Sequence, residues 1–211
     1  MGQIIRLNVD GHTAQPDAGH PQRQCVVLTD NSLNAEWALS SALGAISRRR
    51  SAKDLFFSWP NVRHASVALA GYLTNHFPRG DGTLLEESLR AAFARSESRA
   101  AASSAELAVP HAYLAGLLQH APRLLDYQVY GIGKNDEPSA WELFSAPLSE
   151  WARKEKLTRL IFDPSTSGQE LIDSQFMYDI LASRVLTRAD LIEVRAVIKE
   201  DLQSGGPSDA S

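Results

Sequence analysis

The chain has 211 residues, 44% of them hydrophobic and 22% charged, with a formal net charge of -4. That balance fits one ordinary to large globular domain and excludes a chain disordered over most of its length. Net acidity argues against a protein that coats nucleic acid or anionic membrane, although a local basic face is still allowed.

Cys25 is the single cysteine, which removes any internal disulfide framework and any cysteine-rich metal site. The amino-terminal MGQIIRLNVDGH lacks the apolar run of a signal peptide. Arg6 stands where a myristoylation pattern needs Ser or Thr. The longest apolar-rich run, 65–73, is too short to span a bilayer. A cytoplasmic chain without a membrane segment is the expectation.

Residues 3–9, QIIRLNV, are aliphatic and β-branched and read as a first strand. A long Gly/Pro/Asp/His loop follows, carrying Asp10, His12, Asp17 and His20 at spacings that match no metal-ligand logic. RQCVVLT, 23–29, is a second strand, with Cys25 as a packing residue. Asn31 or Ser32 can then cap a helix running to residue 50. Arg48, Arg49 and Arg50 would fall in its last turn, where positive charge complements the helix macrodipole. The sharper reading of that triplet is a phosphate-contacting patch for nucleic acid.

DLFFSW, 54–59, is a short apolar run read as a third strand, and Pro60 starts a helix. PRGDG, 78–82, is a turn. Thr83 with Glu86 forms a capping box for the next helix, and a further helix takes 107–119. His111 and His120, nine apart, do not share a helix face. LLDYQVYGIGK, 124–134, is a strand running into a Gly-rich turn without the spacing of a phosphate-binding loop. From Ser139 a helix is expected, bent at Pro147, with Trp141, Phe144, Leu148 and Trp151 along one face. Core packing is the favoured role of that stripe, and partner binding through Trp141 and Trp151 the alternative.

TRLIFD closes a fifth strand, and the PSTSG turn leads to a helix whose buried side includes Leu171, Ile172, Phe176, Ile180 and Leu181. Thr187 and Asp190 approximate a capping box for the last helix, and 204–211 is a disordered tail. The expected fold is therefore a single α/β domain over 1–203. Its mixed, mainly parallel sheet of about five strands is covered by helices, with a helical insertion at 61–122.

In such a sheet Asp30 and Asp163 would share one carboxyl edge, where α/β folds place ligands. Paired carboxylates there could hold Mg²⁺ against a phosphate, with Ser165, Thr166, Ser167 and Gly168 cradling the anion. The simpler reading of each Asp is a turn or helix cap. With no coherent catalytic set, the favoured function is a non-catalytic accessory or adaptor protein, with a protein partner or a homo-oligomer and no cofactor. A small Mg²⁺-dependent phosphate-handling enzyme and a nucleic-acid-binding regulator are the alternatives.

Overall fold

A computed structural model gives the fold. It describes residues 23–79, 82–102, 108–143, 145–165 and 171–203. The expected strand at 3–9, the His12/His20 loop and the 204–211 tail lie outside the described residues.

In chain order, β1 (Gln24–Val27) leads through a short 3₁₀ turn to α1 (Ala35–Ala45), α2 (Arg49–Ser58) and α3 (Pro60–Leu73). A two-residue-wide ladder of β2 (Pro78–Arg79) and β3 (Gly82–Thr83) follows, then α4 (Leu84–Ala102) and α5 (Ala108–Leu118). Another 3₁₀ turn enters β4 (Tyr127–Ile132), β5 (Pro138–Ala140), α6 (Leu148–Lys154), β6 (Arg159–Pro164), α7 (Leu171–Val185) and α8 (Arg188–Gln203). No described helix is long and apolar enough to cross a membrane.

The architecture is mainly helical with one small sheet in the order β1-β6-β4-β5, and every pairing in it is antiparallel. This overturns the expected mainly parallel, five-stranded sheet. Two of the expected elements changed type. DLFFSW is helical, the last turns of α2, with Leu55 and Phe56 packed on the core and Phe57 turned out. A short apolar run fits a buried strand or one face of a helix equally well, and here the helix wins. Trp59 leaves the helical region at φ -132° and ψ 82°, in keeping with the bar that a following proline sets against helix, and Pro60 opens α3. In the second case the helix expected from Ser139 is confined to α6, because Pro147 stands at its amino cap. Upstream, Pro138, Ser139 and Ala140 pair with β4 as the outer strand β5. β5 folds back antiparallel on one side of β4, and β6 returns antiparallel on the other.

The 61–122 region is the body of the fold. α3, α4 and α5 carry most of the large, fully buried side chains, among them Leu69, Leu73, Leu85, Leu89 and Tyr113. α4 and α5 approach closely at Gly116, where an added Cβ would sit 2.6 Å from the Ala91 carbonyl oxygen. One sheet face closes this core through Leu160, Phe162 and Val129, and Phe77 packs edge-on against Phe162 at 5.0 Å. Gly131 belongs to the same inner face, and Leu157 and Trp151 occupy the space a side chain there would need.

Candidate interaction surface

The register of the sheet defines its other face. Cys25 lies opposite Ile161, Ile161 opposite Tyr130, and Tyr130 opposite Ala140. The next row is Val27, Arg159, Ile132 and Pro138. Because side chains alternate along a strand, both rows point away from the core-facing Val26, Leu160 and Gly131. Val27 is 57% exposed, and Cys25, Tyr130, Ile132 and Ile161 belong neither to the buried core nor to the residues packed against it. An antiparallel sheet with a solvated face alternates apolar and polar residues. Here the outward parity is itself apolar at its centre. Polar groups stand at its rim: Arg159 pairs with Asp136 at 2.6 Å, Arg23 approaches Asp163 at 4.0 Å, and the Tyr130 hydroxyl donates to Gln128 Oε1 at 2.8 Å. An apolar centre with a charged, hydrogen-bonding rim is the anatomy of a protein contact.

The predicted carboxylate pair does not form. β1 and β6 are antiparallel, with Val27 opposite Arg159 and Gln24 opposite Phe162. Asp30 follows the carboxyl end of β1, whereas Asp163 lies beyond the amino end of that strand, opposite Gln128 on the neighbouring β4. The two therefore occupy opposite ends of the strand pair, and no Mg²⁺ step can be built across them. The Asp30 backbone enters the 3₁₀ turn, which Thr29 and Ser32 hold together. The Ser165 amide donates to the Asp126 carbonyl at 2.9 Å, while Thr166, Ser167 and Gly168 lie outside the described residues.

The Arg triplet also moves. α1 ends at Ala45, Ser47 takes a left-handed φ of 57°, and the arginines open α2 instead of closing α1. Arg48 forms a two-pronged ion pair with Glu97 and lies over the Phe93 ring. Arg49 reaches back to the Ser40 carbonyl across Gly44. Arg50 is exposed. Ser41, Gly44, Ser47, Arg49 and Arg50 line an open cleft at this corner.

Trp141 and Trp151 serve the interior. Trp151 is buried against Gly131. The Trp141 indole N–H donates to the Ala146 carbonyl at 3.0 Å, and its ring meets Phe77 at 6.0 Å. The stripe drawn through Trp141 and Trp151 on one helix is therefore divided between the end of β5 and α6, and its favoured role as packing holds for both tryptophans.

Two polar groupings were not foreseen as groups. Asp190, buried at the start of α8, accepts from Thr187 Oγ1 at 2.6 Å and from Asn61 Nδ2 at 2.8 Å, with His111 Nε2 at 3.8 Å. This ties the first turns of α3 and α8 together, with α5 beside them. At the end of α3, Thr74 Oγ1, Asn75 Oδ1 and His76 Nε2 are buried without hydrogen-bond partners. Burial alone holds the His76 imidazole down at about 4. The outward sheet face was missed too. Its signal was present in YQVYGI and RLIFD, strands apolar on both parities, which were read as buried between helices. Among the described residues no three His, Cys, Asp or Glu side chains gather as metal ligands.

Compared with family models, curated proteins and solved structures, the chain matches none.

Proposed function

We propose that this chain is a cytoplasmic, non-catalytic accessory protein that holds a protein partner on the outward face of its sheet. The observation that carries the reading is the apolar double row centred on Ile161, Tyr130 and Ile132, turned away from the core and rimmed by Arg159, Asp136 and Gln128. Such a surface gains from burial against another apolar surface, at about 25 cal/mol per Å² of apolar area removed from water. Its rim charges would set orientation and on-rate more than affinity.

Capture with the tagged chain tests this. Wild type should retain a stoichiometric protein partner, Ile161→Arg should lose it, and Phe57→Ser on α2, 90% exposed in the folded chain, should keep it. Retention by Ile161→Arg with loss by Phe57→Ser would move the contact to the helical side and end this reading.

A second reading draws on the α1–α2 corner. Three arginines with no acidic residue open α2, the opposite of what its macrodipole favours, which suits an anionic ligand such as nucleic-acid phosphate. With Arg48 committed to Glu97, the test variant is Arg49→Ala/Arg50→Ala. Heparin retention unchanged in that variant would remove the reading.

A further inference from the structure

Among the described residues β1 is an edge strand, and its hydrogen bonds to β6 use alternate residues. The Leu28 amide donates to the Thr158 carbonyl at 2.8 Å, and the register carries that parity back to Val26 and Gln24. In an antiparallel ladder the intervening residues direct their amide and carbonyl groups to the other side. The backbone groups of Arg23, Cys25 and Val27 therefore point off the sheet, and no described residue pairs with them. The next of that parity, Thr29, donates its amide to Ser32 Oγ instead. Proteins blunt such edges with proline, lysine, bulges or very short strands. β5, the opposite edge, is three residues long and begins with Pro138. β1, QCVV, is also short at four residues but carries no proline or lysine, and its register with β6 runs without a bulge.

We propose that a second copy of this chain pairs antiparallel with β1 about a two-fold axis at Cys25. In this register Cys25 faces Cys25 of the second copy, and Arg23 faces Val27 in both directions. Each outward residue then exchanges both backbone bonds with its opposite. A register centred on Val26 satisfies less, because Arg23 would meet the already committed Thr29 amide. The Cys25-centred register also joins the outer row of Cys25, Ile161, Tyr130 and Ala140 to the same row of the second copy, making one apolar strip across both sheets. This assembly stands independently of the docking reading, since it needs no other partner.

Sedimentation of the purified full chain tests it. Wild type should run at twice its 23.1 kDa mass over the micromolar range. Val27→Pro removes an outward amide that β6 does not use. It should run at the single-chain mass with an unchanged circular-dichroism spectrum. Val27→Lys leaves the backbone intact, sets like charge against Arg23 of the second copy, and must also halve the mass, which decides the matter if the proline variant misfolds. As the chain's only thiol, Cys25 supplies a direct probe. Opposed residues of a hydrogen-bonded pair have Cα atoms about 5.5 Å apart, so a short bismaleimide should link two wild-type chains and fail in Val27→Lys. A wild type that is monomeric throughout, including one whose edge is filled by its own amino-terminal residues, overturns the proposal. So does a dimer that survives Val27→Lys or gives no Cys25 link.

Discussion

At the residue scale, the turn at Thr74, Asn75 and His76 is where this fold departs most from local preference. Thr74 holds φ 48° and ψ -172°, a conformation that costs a side-chain-bearing residue about 1–3 kcal/mol. Its hydroxyl, buried and unpartnered, adds a desolvation penalty. Thr74→Gly should therefore raise the unfolding free energy by about 1 kcal/mol, net of the greater chain entropy of glycine. A denaturant midpoint lower than wild type would contradict that account. His76 titrates at about 4 in the folded chain against an ordinary 6.5, because burial disfavours its charged form. The unfolded chain takes up this proton below pH 6.5 and the folded chain does not until about pH 4. The contribution of neutral His76 is thus complete above pH 6.5 and is lost as pH falls toward 4. Between pH 7 and 4.5 wild type should lose about 2 kcal/mol more stability than His76→Gln, measured by urea unfolding at both pH values. Parallel pH profiles for the two chains would show that His76 is not held neutral. Neither property was legible in the sequence, where TNHF reads as the end of the helix that Pro60 starts; strain and burial are imposed by what packs around the turn.

At the element scale, end signals were legible and element types less so. Pro60 opens α3, the Thr83 hydroxyl accepts from the Glu86 amide at 3.3 Å at the start of α4, and Thr187 with Asp190 caps α8. Caps are local chemistry, so a few residues suffice to announce them. DLFFSW and SAWELF were misread because strand and helix compete closely over short apolar runs, and remote partners decide between them. The Asp190 junction is also non-local, since Asn61 lies 129 positions away. Asp190→Ala takes the acceptor from the capping Thr187 hydroxyl and strands the Asn61 amide, and should cost about 2 kcal/mol of unfolding free energy. A loss under a few tenths would show the junction to be idle. Two glycines give a sharper contrast. Gly116→Ala presses on α4 backbone, at 2.6 Å from the Ala91 oxygen, and should cost about 1–3 kcal/mol. Gly44→Ala meets first the Arg49 guanidinium, the far end of a flexible side chain that can swing away, and should be near neutral or mildly stabilising. Equal midpoints for the two variants would contradict the close α4–α5 contact.

For the whole molecule, a helical body closes one face of a small antiparallel sheet and leaves the other apolar and turned outward. The sequence supplied β1, β4 and β6, but neither β5 nor the direction of the strands. Apolar residues on both parities of β4 and β6 imply two covered faces, and a parallel sheet between helix layers was the simplest way to cover them. The antiparallel sheet keeps the apolar residues, and no second layer covers them among the described residues, which is what the proposed contact rests on. It also separates Asp30 from Asp163 and so dissolves the site around which a phosphate enzyme would have been built. The most direct test is hydroxyl-radical footprinting of the chain alone and in its captured complex. Oxidation of Tyr130 and Ile132 should fall several-fold in the complex while Phe57 on α2 reacts at its free rate. Unchanged Tyr130 and Ile132 with a protected Phe57 would place the partner elsewhere and contradict the account.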